Sequence, residues 1–382
     1  MQNLVIVGGG FAGTWSAMSA AATRAANAAS EMTISLVSQS DNLCIRPRLY
    51  EGAQDSMLVP LKPLMDEIDV TLITDSVEAV EGQTLRMRSG ADVDFDSMIL
   101  AAGSSVKLPG CKGATQFGFW VDDFESTRKL DEHLKTLDTT DDADRTVVVV
   151  GSSFSGIEIV TKLRQRLGEA FQLVLIDRNE QPGSSVGETL KSSVQSALED
   201  ANVKFRGNTS LQEITASQAI LSDGEAIRSS SVIFATGFRA NSLTAHLSHD
   251  TDPMGRLMVD ETLRVACETS IFAAGDVASA MVDMDHRSLM SCQHAMPMGI
   301  AAGRNAVLDL LDLEPVAYSQ PFYATCIDLG QSGAVFTNGW ERSIIKSGPE
   351  GAEMKQQINT QWIYPPQPAL GREKIFAMIR KS

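Results

Sequence analysis

The stretch Leu4-Val5-Ile6-Val7-Gly8-Gly9-Gly10-Phe11-Ala12-Gly13 decides the fold. Four apolar, largely β-branched residues predict a buried strand, and the Ala-rich sequence from Thr14 onward predicts a helix. Between them Gly8, Gly10 and Gly13 stand at G-x-G-x-x-G spacing, with Phe11 and Ala12 completing the turn. Gly8 permits the tight turn, Gly10 admits a pyrophosphate to the backbone amides, and Gly13 allows close helix packing. So many glycines cost backbone entropy to order, which points to a bound dinucleotide rather than an idle loop.

The same grammar returns at Thr146-Val147-Val148-Val149-Val150, then Gly151-Ser152-Ser153-Phe154-Ser155-Gly156, then Ile157-Glu158-Ile159-Val160. Gly151 and Gly156 keep the first and third roles; Ser153 holds the second, where a side chain crowds the pyrophosphate. Three further apolar runs end in glycine: Ser97 to Ala102-Gly103, Ser231 to Gly237, and Ser270 to Gly275-Asp276. Each predicts a buried parallel strand leading into a nucleotide-side loop.

The acceptor for a ribose hydroxyl is expected at the end of the second strand of each unit. In the first that position falls on Ser38, a weaker partner than a carboxylate; in the second it falls on Asp177, which favours NADH over NADPH. Arg178 follows, and an arginine turned inward would suit a 2′-phosphate.

A length of 382 residues with 43% hydrophobic content suits two or three globular domains. The net charge of −16 argues against a nucleic-acid partner. The start of the chain reads without a secretion leader and no run approaches membrane-spanning length, so a cytoplasmic protein is expected. Cys44, Cys111, Cys267, Cys292 and Cys326 are widely spaced and read as reduced, structural thiols. The acidic stretch from Asp138 to Asp144 reads as a surface linker before the second unit, and from about Glu314 the texture changes to a small α+β region. His246, His249 and the Asp283-to-His286 segment read as loop residues, not metal ligands.

On these motifs the chain resembles the flavoproteins with two dinucleotide-binding domains, especially type II NADH dehydrogenases and their apoptosis-inducing-factor and ferredoxin-reductase relatives. The resemblance spans residues 2 to about 310 and rests most on Phe272-Ala273-Ala274-Gly275-Asp276-Val277-Ala278. It implies an α/β fold with two Rossmann-like modules, glutathione-reductase-like, binding FAD and NAD(P)H, plus the small C-terminal α+β domain. The boundaries implied are 1–115 with 240–312 for FAD, 116–239 for NAD(P)H, and 313–382.

The resemblance also distributes roles. Asp276 and Gly275 would meet the flavin's ribityl chain, and Arg46-Pro47 would open a turn in the flavin pocket. Ala102, Gly103 and Gly237 would line the cofactor loops. Relatives often carry a lysine near the flavin where this chain has Glu51. Glu158 would help place the nicotinamide; its plainer explanation is an acid in a helix's first turn. The segment Gln293 to Gly299, with His294 and Ala295, would begin a helix beneath the flavin, His294 serving as a candidate proton donor.

No flavin-monooxygenase signature precedes the second glycine motif. No cysteine lies between Cys111 and Cys267, which argues against a sulfide:quinone reductase. The expected activity is transfer of hydride from NADH to flavin and of electrons to a quinone or another small acceptor. Two alternatives stay open: a redox-responsive FAD/NADH-binding protein with slow turnover, and a reductase of a protein electron carrier. The short basic tail from Arg372 is expected to pack on the protein's own body; peripheral membrane contact is the other possibility.

Overall fold

A computed structural model describes residues 2–107, 110–247 and 250–380; His249 lies outside them. Two five-stranded parallel sheets dominate. The first orders its strands Ile271–Ala273, Ser97–Leu100, Asn3–Val7, Thr33–Ser38 and Thr71–Thr74. The second runs Gly118–Trp120, Ser231–Phe234, Thr146–Val150, Gln172–Ile176 and Val203–Arg206. The central strands are buried on both faces, as parallel sheets covered by helices require, which is why their sequences are continuous apolar runs rather than alternations.

The two units are built alike beyond the sheets. Each adds a three-stranded antiparallel meander before the fourth parallel strand counted from the one that leads into its glycine motif: Val77–Glu81, Thr84–Met87 and Val93–Asp94 in the first, Leu211–Ile214, Gln218–Leu221 and Ala226–Arg228 in the second. They differ in the outer strand. The first sheet takes Ile271–Ala273 from beyond the second sheet, whereas the second takes Gly118–Trp120 from upstream of its own glycine motif. The acidic 138–144 stretch therefore lies within the second unit rather than ahead of it. Asp141 accepts from the Ala143 amide there and caps the short helix Asp142–Arg145.

Helix Phe11–Ala26 begins inside the glycine motif, three residues earlier than its composition suggests. Helix Cys292–Leu310 packs directly on it through small residues. A Cβ on Gly299 would stand 2.3 Å from the Ala12 carbonyl oxygen and one on Gly303 2.3 Å from that of Ser16, so the two backbones touch. Ser19 Oγ donates to Ile300 O at 2.7 Å across this contact.

The C-terminal region is an antiparallel sheet, Ala324–Asp328, Ala334–Asn338 and Ser343–Lys346, followed by helices Gly348–Gln357 and Arg372–Ile379. An eight-residue helix is marginal alone. Arg372–Ile379 docks by burying Ile375, Phe376 and Ile379, worth about 1.5–3 kcal/mol for each large side chain. Among the described residues no helix is long and apolar enough to cross a membrane.

Candidate active site

The glycine turns of the two units have the same geometry. Gly8 and Gly151 take φ of +116° and +102°, and a Cβ on either would lie 2.3 Å from a carbonyl oxygen, of Ala101 and Ala235 respectively. On Gly13 and Gly156 a Cβ would meet the carbonyl oxygen of Gly8 and Gly151 at 1.7 and 1.8 Å. These four glycines build the turns. Gly10 has nothing within 4 Å of its would-be Cβ: the chain leaves open space there at a helix N-terminus, which fits a dinucleotide pyrophosphate. Ser153 takes the matching place in the second unit, exposed, with its side chain capping nothing.

One cavity of ≈ 450 Å³ lies at the carboxyl ends of both sheets. From the first unit Gly10, Phe11, Ala12, Arg46, Pro47 and Gly103 line it; from the second, Ser153, Glu158 and Gly237; from the far strand and helix, Gly275, Asp276 and Ala295. Residues separated by most of the chain are thus gathered around one space. Asp276 Oδ2 accepts from Ser104 Oγ at 2.6 Å. Helix Cys292–Leu310 presents its first residues to the cavity, with Ser291 as N-cap.

Glu158 sits in the second turn of helix Phe154–Leu167, beyond the reach of a simple first-turn preference. Its Oε1 accepts from Lys355 Nζ at 2.6 Å and from the Asp328 amide at 3.0 Å. Lys355 also donates to Cys326 O at 2.9 Å and stands 5.3 Å from the centre of the Tyr50 ring. Burial raises the Glu158 carboxyl above the ordinary range, with Lys355 and the Asp328 amide pulling the other way. Burial works against the Lys355 ammonium, but Glu158, Cys326 and Asp328 together outweigh it and the lysine holds its proton more firmly than usual.

Several expected residues stand elsewhere. Glu51 does not line the cavity; Arg48 holds it at 2.8 Å and Asn359 Nδ2 donates to it at 2.9 Å, while neighbouring Tyr50 takes the cavity wall. Ser38 is buried and its Oγ donates to Ser40 O at 2.7 Å, so the hydroxyl is engaged within its own turn. Ala102 is packed behind Gly8. Asp177 ends its strand as expected, but its carboxylate already accepts from the Ser152 amide at 2.6 Å, Ser152 Oγ at 2.8 Å and the Asn179 amide at 2.8 Å. His294 is fully buried against Tyr323 and outside the cavity lining. Burial, reinforced by Arg256, lowers its pKa to about 4, which leaves it neutral and ill-suited to deliver a proton.

Residues 2–299 match the pyridine nucleotide-disulphide oxidoreductase family. The chain belongs to that family. It is 38% identical over 380 residues to an NADH dehydrogenase-like protein of Mycobacterium tuberculosis, covering 96% of this chain and 95% of that one. A type II NADH:quinone oxidoreductase of Staphylococcus haemolyticus is 22% identical, covering 95% of each chain. The structure of NDH2 from Plasmodium falciparum in complex with NADH shares the fold with a TM-score of 0.78 at 11% identity, covering 99% of this chain and 98% of that one.

The cavity wall of this oxidoreductase also holds residues that the sequence did not announce, Tyr50, Ser104 and Asp122 among them, and three more carry reactive or charged groups. Lys355 carries no motif and lies 197 positions from its partner. Cys44 and Cys292 were read as structural, yet both line the cavity. Burial pushes both up to about 11, so they present thiols, not thiolates. All five cysteines are unpaired. Among the described residues no cluster of three or more His, Cys, Asp and Glu is arranged to hold a metal.

Proposed function

We propose that this protein is an FAD-dependent NADH:quinone oxidoreductase. The observation that carries the reading is the single cavity lined by both glycine-turn loops, with Asp276 on one side and the Glu158–Lys355 pair on the other. FAD, when bound, supplies a ring that takes up hydride from NADH and releases electrons to a quinone. Residues 1–115 and 240–312 hold the flavin, 116–239 the nicotinamide nucleotide, and 313–382 close the site through Lys355. The relatives named for NADH and for NADH:quinone chemistry support this assignment.

In this reading Gly10 and the N-terminus of helix Phe11–Ala26 receive the FAD pyrophosphate, and Asp276 accepts from its ribityl hydroxyls. Arg46 and Pro47 form the wall beside the ring. Ser153 and the N-terminus of helix Phe154–Leu167 receive the NADH pyrophosphate. Asp177, at the end of its strand and engaged with the Ser152 turn, stands on the adenosine-ribose side and disfavours a 2′-phosphate by charge. Glu158 lines the cavity on the nucleotide side, where it helps place the nicotinamide, and Lys355 holds its carboxylate in position. Five unpaired cysteines suit a reducing compartment, the cytoplasm.

Anaerobic mixing of the yellow protein with NADH is expected to bleach the flavin band, and a soluble quinone to restore it. An unchanged spectrum with NADH removes the reading; rapid bleaching without reoxidation by any quinone removes its acceptor half.

A further inference from the structure

Asp122 stands where three parts of the chain meet. It follows the outer strand Gly118–Trp120 of the second sheet and precedes Asp123, the N-cap of helix Phe124–Lys135. Its Oδ1 accepts from an Arg46 terminal nitrogen, and its main-chain oxygen accepts from Arg46 Nε at 2.9 Å. The other carboxylate oxygen accepts from the Val106 amide at 3.1 Å. Thus a carboxylate of the second unit fixes a guanidinium that projects from the first.

The pair is part of the cavity wall. Asp122's side chain is 12% exposed and that of Arg46 32%, and both line the cavity together with Ser104 and Asp276. Arg46 lies 5.5 Å from the centre of the Phe238 ring and reaches Ser104 Oγ at 3.4 Å, and Ser104 in turn donates to Asp276. Charged groups around the cavity are two cations, Arg46 and Lys355, against three carboxylates, Asp122, Glu158 and Asp276. Each cation is already paired, so the wall as a whole carries an excess of negative charge.

We propose that Asp122 is a positioning residue that sets the redox potential of the site, by locking Arg46 against the cavity wall and cancelling its charge there. The inference rests on flavin occupying this cavity. Reduction adds negative charge to the ring, so a carboxylate in the wall disfavours the reduced form and an uncancelled guanidinium favours it. At a half-buried separation of about 10 Å, one unit charge changes such an equilibrium about tenfold. For a two-electron couple that is about 30 mV.

The test is a spectroelectrochemical titration of the flavin-loaded full chain against reference dyes. Asp122→Asn should raise the reduced-to-oxidised ratio at a fixed dye potential about tenfold. Arg46→Gln should lower it, and the double variant should return close to the parent. A clamp without electrostatic effect would change flavin retention or thermal stability but leave the potential of the loaded protein in place; that result overturns the proposal. Should Asp122→Asn fail to fold, the Arg46→Gln shift alone decides, and no downward shift overturns it. A parent chain that takes up no flavin would instead remove the functional reading itself.

Discussion

Glu158 Oε1 lies 2.6 Å from Lys355 Nζ, so the helix that follows the second glycine motif is tied to the C-terminal helix Gly348–Gln357 by a buried ion pair. Both side chains are nearly inaccessible, at 11% and 12%. A pair buried this deeply adds little net stability over an apolar replacement, but removing one partner strands the other. Lys355→Met is therefore expected to lower unfolding free energy by about 3–5 kcal/mol at neutral pH, and Glu158→Gln with Lys355→Met together to recover most of it. Urea unfolding of the loaded protein checks this; equal losses in the single and double variants would show the pair to be uncoupled.

Two glycines of one motif separate folding from binding. Gly8→Ala places a Cβ 2.3 Å from Ala101 O at φ +116°, which no side-chain adjustment relieves, and soluble protein is expected to be lost. Gly10→Val places a Cβ with nothing in the chain within 4 Å of it, so circular dichroism and the melting temperature of the apoprotein should stay near the parent while flavin retention falls. A Gly10→Val protein that still purifies yellow with full occupancy would contradict the assignment of that space to the pyrophosphate.

Ser153 and Asp177 give the corresponding test on the nucleotide side. Ser153→Gly restores the open backbone seen at Gly10 and is expected to lower KM for NADH by roughly fivefold, about 1 kcal/mol. Asp177→Ser removes the charge that opposes a 2′-phosphate, so the ratio of kcat/KM for NADH over NADPH should fall, with Arg178 available to the phosphate. Because Asp177 also holds the Ser152 turn, a general loss for both nucleotides with an unchanged ratio would assign it a structural role.

The parts of the fold that could be read in the sequence are those with local signals. Val147 to Val150 and Gly151 to Gly156 specify a buried strand, a turn and a helix within a dozen positions, and the structure places them so. The outer strand Gly118–Trp120 has only three residues and no alternation, and its partner lies more than a hundred positions away, so nothing local announces it. Glu51 holds its expected position in the turn, but sequence does not fix the direction of a side chain there, and Arg48 three residues earlier draws it away from the cavity. Lys355 was invisible for the opposite reason. Its helix is polar along most of its length, and only the fold brings one of its lysines against Glu158.

His294 makes the protein acid-sensitive in a defined window. It is fully buried, its Nδ1 lies 3.0 Å from Ser291 Oγ, and its Nε2 has no partner, so protonation would place an uncompensated charge in the core. Its pKa falls from 6.5 to about 4 on folding. A depressed pKa means the unfolded chain binds the proton first: the stabilisation is complete above pH 6.5 and is lost as pH falls toward 4. The loss attributable to this residue is about 2–4 kcal/mol. His294→Phe keeps the ring against Tyr323 and removes the titration, so the difference in unfolding free energy between parent and variant should narrow or reverse from pH 7 to pH 4.5. Parallel curves for the two proteins across that range would mean that the histidine accepts a proton without cost in the folded state, and the packing around Nε2 would have to be looser than its burial indicates.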